Sequence, residues 1–418
     1  MYARIAIAVI CTAVAGGSVF AQESPLSLEE AQRIALSTEP KVQALNAEAA
    51  ALINLSVADR KLPDVQVRTG LMNFPLEHGG FRSEGMTHLS VGLRQSVPPR
   101  GRRTALANEK TGLATQKREL ANSRARDVTL QVRNAWLESY FGDHAVELVS
   151  ESRSLFVELV RVARSLYSVG TRNQNDVLQA ELELSKLDDR LLQVKQSRRE
   201  SYAALGRLLD QPVTVAVLDE LPDWSTVPPL ADLQDRLIQH PIISASNAQL
   251  EADNARYDIE KSAFNPLWTF DLAYSYRDGQ LPNDTPRSDF VSATVSFNVP
   301  IWGREREVRR MSAASAQKES TALNRSLLLR ELRYELVVAH SRWETLSNRK
   351  ELYEQNMIRQ SDDHAQATLA AYRNKLVGMT DVVRSYIEQI DTQIAHLRLR
   401  VDRLKTWAQI DSLVEIGK

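Results

Sequence analysis

The chain has 418 residues, with 52 basic and 53 acidic side chains and a formal net charge of -1. That balance excludes a nucleic-acid partner, because counterion-driven phosphate binding needs a basic surface. The 16 glycines and 15 prolines are few for this length and favour long uninterrupted helices. Arg4, the apolar residues 5–14 and the small-x-small triplet Val19-Phe20-Ala21 predict a secretory signal peptide over residues 1–21. Its removal takes one arginine and no acid, so the expected mature charge is -1 - 1 = -2. Cys11 is the only cysteine, and the bulky Ile10 before it argues against lipidation. Without it the mature chain has no disulfide and no thiolate chemistry. Past residue 21, no stretch reaches the ~18 consecutive apolar residues of a transmembrane helix.

The first helix is expected over residues 27–60. Ser27 is placed to cap it, and Glu30 stands three residues on in a capping-box pattern. Two strands follow. In residues 62–74, Val65, Val67, Thr69 and Leu71 alternate with Gln66, Arg68 and Gly70. Next, Leu89, Val91, Leu93 and Val97 alternate with Ser90, Gly92, Arg94 and Ser96. From Arg102 to Tyr167 there is no proline, which predicts a helix ~100 Å long at 1.5 Å per residue. Leu148, Leu155, Leu159, Val162 and Leu166, then Leu184, Leu187, Leu191 and Val194, give narrow coiled-coil seams on two long helices.

After a proline-rich linker over residues 210–229 the plan starts again, with a helix expected over residues 230–261. Trp268, Phe270, Leu272, Tyr274 and Tyr276 alternate with Thr269, Asp271 and Ser275. Val291, Ala293, Val295, Phe297 and Val299 alternate with Ser292, Thr294, Ser296 and Asn298. In the last helix, Val383, Ile387, Ile390, Ile394, Leu397, Val401 and Leu404 keep an unbroken spacing of four and three. A shift of roughly 202 residues relates the halves. Glu39-Pro40 answers His240-Pro241, Val97-Pro98-x-x-Gly101-Arg102 answers Val299-Pro300-x-x-Gly303-Arg304, and Tyr167 with Asp176-Val177 answers Tyr372 with Asp381-Val382. The expected organisation is a signal over 1–21, a first repeat over 22–209, a linker over 210–229 and a second repeat over 230–418.

Each strand has one apolar face and a length close to the ~9–11 residues that cross a bilayer. Phe74, Trp268, Tyr276, Phe290 and Trp302 gather towards the strand ends as interfacial aromatics do. Residues 75–84 and 279–288 have the Gly, Pro, Asn and Asp content of external loops. A spanning sheet cannot leave open edges in lipid, and single-chain barrels start at about eight strands. Four strands per chain therefore require an oligomer.

This pattern resembles the TolC-type outer-membrane efflux family over nearly all of the mature chain. The resemblance rests on Leu28-Glu29-Glu30-Ala31 with Pro40, on Val97-Pro98-x-x-Gly101-Arg102, and on Tyr167-x-x-Gly170-Thr171-Arg172 leading to Asp176-Val177-Leu178. It implies a mainly α fold with a small β part: a long coiled-coil helical barrel below a trimeric twelve-stranded transmembrane β-barrel. It implies a homotrimer in outer-membrane lipid, docked to a periplasmic adaptor and an inner-membrane efflux pump of RND type, with a helical tunnel in the periplasm. It also places a closable periplasmic aperture at the helix turns, with Tyr372, Asp381 and Arg384 and their first-repeat counterparts Tyr167 and Asp176 as its residues. Lys375 stands where the family has glycine after the tyrosine, Val377 where some members carry a gating arginine, and Arg384 where some carry a second acid. Asp381 reads equally as a cap of the final helix. Residues 70–75 with Met86-Thr87 and Pro98-Pro99-Arg100-Gly101 look like the branch that accompanies heavy-metal pumps. The seven histidines, however, include no pair at metal-ligand spacing on one helix. No catalytic residue, metal site or cofactor is expected. The rival reading is a soluble periplasmic coiled-coil scaffold or adaptor.

Overall fold

The computed structural model describes residues 25–77, 79–299 and 304–416. The signal-peptide reading and the Pro300, Trp302 and Gly303 landmarks lie outside them. The helix expected over residues 27–60 is two helices, α1 (Leu28–Thr38) and α2 (Pro40–Asp59). The second repeat breaks alike, as α5 (Leu230–Arg236), a single 3-10 turn and α6 (Pro241–Ser262). Proline explains both breaks, because its ring disfavours helical backbone at the residue before it while suiting the first helical position. Ser27 caps α1 as expected, accepting the Glu30 N–H at 3.1 Å.

Four antiparallel strands form one meander in chain order: β1 (Gln66–Met72), β2 (His88–Val97), β3 (Trp268–Tyr276) and β4 (Phe290–Phe297). The register sets Leu93 opposite Leu272 and Trp268 opposite Phe297, so apolar faces apolar across the sheet. That face is largely uncovered among the described residues: Val67 is 72% exposed, Leu272 55% and Val291 73%. Among the described residues, β1 and β4 each keep one edge without a strand partner.

Long helices descend from the sheet. α3 (Arg102–Ser168) has 67 residues and pairs with α4 (Gln174–Leu209). In the second repeat α7 (Glu305–Leu352) runs through a π turn at Tyr353–Met357 into α8 (Ile358–Arg373), and α9 (Met379–Val414) returns. The upper part of α3 approaches α6 so closely that a Cβ on Gly112 would lie 2.9 Å from the Ala252 nitrogen. Lower down, the seam of α9 is buried or half-buried at every expected position. Of the seam expected on α3, Leu159 is buried and Leu148, Val162 and Leu166 are half-buried, but Leu155 is 48% exposed and its neighbour Phe156 is buried in its place. The 3.6-residue helix does not match a strict 3.5 repeat, so an individual seam position can give way to the residue beside it.

The proline-rich segment 210–229 lies pinned across the helices. Val217 bridges to Leu26, and its N–H donates at 3.0 Å to the Tyr202 hydroxyl, which itself donates to Asp143 at 2.6 Å. Burial, reinforced by Asp143, pushes the Tyr202 hydroxyl pKa up to about 12. Trp224 stacks on Trp407 with centroids 4.5 Å apart, and the Arg133 guanidinium lies 5.1 Å from the Trp224 ring. No helix among the described residues is long and apolar enough to cross a membrane.

Candidate functional site

At the end of the helices remote from the sheet, two turns meet. Both close with the same backbone pattern. In the first, the Gly170 N–H donates to the Tyr167 carbonyl (2.9 Å) and Thr171 to Leu166 (3.0 Å). In the second, Lys375 donates to Tyr372 (3.0 Å) and Leu376 to Ala371 (2.9 Å). Such a helix end needs one left-handed residue. Gly170 supplies it at φ 70° in the first turn, and Lys375 does so at φ 64° in the second. The departure from glycine at 375 therefore retains the glycine conformation with a side chain attached.

Between the turns the contact is not symmetric. Tyr372, fully buried at the end of α8, donates its hydroxyl to Asp176 Oδ2 at 3.1 Å. Burial, with Asp176 beside it, pushes the Tyr372 hydroxyl pKa up to about 12. Arg172 crosses from the first turn to the second. Its guanidinium lies 4.3 Å from the centre of the Tyr372 ring and donates to the carbonyls of Tyr372 (2.8 Å) and Val377 (2.9 Å). Thr380 adds a 3.0 Å bond to Gln179. Phe156, Val160, Val177, Met379 and Val382 pack behind this contact.

Of the five residues singled out in the sequence, the protomer brings Tyr372 and Asp176 together. Tyr167 points outward and is 47% exposed. Asp381 is exposed, with its carboxylate accepting the Gly378 N–H at 3.2 Å, so it sits in the first turn of α9 and closes that helix end. Arg384 is exposed one turn further on. Arg172 is the residue that sequence reasoning passed over. Its signal was present in the Thr171-Arg172 that follows Gly170, but its partners lie 200 and 205 positions away.

A four-stranded sheet with a bare apolar face, set on helical hairpins ~100 Å long, is the fold of the outer-membrane channels. Over 93% of this chain and 92% of the other, it superimposes on CusC, described in terms of folding and transmembrane channel formation, at TM-score 0.81 and 16% identity. VceC of Vibrio cholerae, an outer membrane protein, matches at TM-score 0.77 and 16% identity over 93% and 96% of the two chains. The open-state MtrE outer membrane channel of Neisseria gonorrhoeae gives 0.75 and 14% over 93% and 89%. Residues 233–414 match the family described as Outer membrane efflux protein. The resemblance to the TolC-type efflux family therefore holds, through the family pattern in the second repeat and the fold along the whole chain. No curated protein sequence matches.

Proposed function

We propose that three copies of this chain close a twelve-stranded barrel (3 × 4 strands) in the outer membrane and form the exit duct of a tripartite efflux system. The observation that carries this reading is the sheet: among the described residues its two outer edges lack strand partners and its apolar face is uncovered. Both features are untenable in water for a monomer, and closure in lipid removes both. In this reading the helices cross the periplasm, the tips form the aperture with Tyr372, Asp176, Asp381, Arg384 and Tyr167 around it, and residues 1–21 direct export. Exposed Leu376, Val169 and Leu178 at the tips offer apolar contacts to a periplasmic adaptor that links the duct to an inner-membrane pump of RND type. Cargo selection, heavy-metal cations included, belongs to that pump.

The test sets neighbouring positions of β4 against each other. Val295 lies on the apolar face and Ser296 on the polar face. Val295→Arg should cost about 2–4 kcal/mol if the site is near mid-bilayer and reduce detergent-extracted trimer. Ser296→Arg should leave its yield unchanged. Equal yields of the two variants, or a stable monodisperse wild-type monomer in the soluble periplasm, would sink the reading.

A further inference from the structure

The four strands carry only three residues charged at neutral pH: Arg68 on β1, Arg94 on β2 and Asp271 on β3, with none on β4. All three belong to the polar face, and all three meet. Arg94 stands directly across from Asp271 in the β2–β3 register, and its Nε donates to Asp271 Oδ1 at 2.6 Å. Arg68 is one strand further away, paired with Gly92, yet its Nη1 reaches the same oxygen at 3.3 Å. Gly92 makes this possible. A Cβ there would fall 2.8 Å from the Leu272 carbonyl oxygen and 2.9 Å from the Ala273 Cβ, so the polar surface of β2 is bare where Arg68 crosses it. Two guanidinium groups against one carboxylate leave one net positive charge.

We propose that this triad forms a positive ring inside the barrel that favours small anionic solutes over cations in the outer-membrane section of the duct. The proposal rests on the trimeric duct reading, since only closure puts the polar face inside and brings three triads to one level. The ring then carries 3 × (+1) = +3. The loops beyond it, residues 73–87 and 277–289, have the opposite balance. Arg82, Arg277 and Arg287 stand there against Glu77, Glu84, Asp278, Asp284 and Asp289, a net of 3 - 5 = -2 per chain. The passage therefore reverses sign between its wall and its mouth. Three unit charges seen from about 10 Å through water at low salt raise the local concentration of a monovalent anion roughly four- to eightfold and lower that of a cation by a similar factor. In 1 M salt the screening length falls to about 3 Å and the preference disappears.

The experiment measures reversal potentials of the full-length protein in planar bilayers under a dilute KCl gradient, for variants that change the ring alone. Asp271→Asn makes the ring +6, the wild type is +3, Arg68→Gln makes it 0, and Arg68→Gln with Arg94→Gln makes it -3. The chloride-to-potassium permeability ratio should fall in that order. Arg68→Lys should retain the wild-type value, and all values should converge in 1 M KCl. The helical tips are the same in every variant, so their contribution is constant and the differences belong to the ring. A common ratio for all variants, or an order unrelated to ring charge, would overturn the proposal. A wild-type trimer that forms no channel would overturn the duct reading itself, and the ring with it.

Discussion

Residues 168–176 and 373–381 hold two helix turns with the same pair of backbone hydrogen bonds and a left-handed residue at the same place. Five positions after its tyrosine, the first turn has Arg172, while the second has Val377. The first turn therefore provides a guanidinium and a carboxylate, and the second provides an aromatic ring, a hydroxyl and two carbonyls. Duplication has given one backbone plan with two complementary surfaces. In a closed ring where the two kinds of tip alternate, the contact from the second tip to the next first tip cannot copy this clasp, because Val377 has nothing to donate. Half of the contacts around the mouth would then be strong and half weak, and opening would begin at the weak ones.

Removing the strong side of the comparison should have the largest effect. Arg172→Ala deletes two charged hydrogen bonds and the ring contact, worth about 2 kcal/mol together after allowance for partial exposure. That is about a thirty-fold shift towards separated tips. Single-channel conductance should rise, and amide exchange over residues 374–379 should accelerate. If both stay at the wild-type level, Arg172 is a surface contact and the asymmetry has no consequence.

A smaller effect is expected from the two tyrosines. Tyr372→Phe removes one buried hydrogen bond, about 1 kcal/mol, and should raise conductance, while Tyr167→Phe should change nothing. The pH response sharpens the contrast. The Tyr372 hydroxyl pKa is raised above its ordinary value to about 12, so its neutral, donating form is favoured in the closed tip. This contribution is fully present below about pH 10 and is lost as pH rises towards 12. Wild-type conductance should climb over that window, whereas Tyr372→Phe should show no such climb. A climb of equal size in the phenylalanine variant would assign the response to another group.

The sequence conveyed some of this architecture because it is local. Helix length followed from the missing prolines between Arg102 and Tyr167, strand faces from period-two alternation, and the cap of α1 from Ser27 and Glu30. The breaks at Pro40 and Pro241 are equally local; the resemblance marks the first, while apolar periodicity on either side of each proline suggests one continuous helix. The π turn at Tyr353–Met357 carries no glycine or proline to mark it. Pairings across 200 residues were beyond reach for a different reason. Alternation assigns Arg68, Arg94 and Asp271 to polar faces but gives no register between strands, and repeat alignment sets Tyr372 beside Asp381 in sequence while its hydroxyl reaches Asp176. These contacts depend on how two helical hairpins lie against each other, which no window of one chain segment encodes.

The smallest expected effect concerns the turns themselves. Lys375 holds φ 64° where Gly170 holds φ 70°, so a side chain sits in left-handed backbone at one tip only. That conformation costs a non-glycine residue about 1 kcal/mol or somewhat more, which at first suggests a large gain from Lys375→Gly. The unfolded chain opposes it, because a glycine there has more conformations to lose, worth roughly 0.4–1 kcal/mol. The two terms largely offset each other, and the variant should be stabilised by about 1 kcal/mol or less. Gly170→Ala runs the same account in reverse: its new Cβ meets nothing within 4 Å, so only strain and chain entropy change. Both variants should therefore melt within a degree or two of wild type and keep its conductance. A large change in either would mean that the turn backbone, and not the Arg172–Val377 difference, separates the two tips.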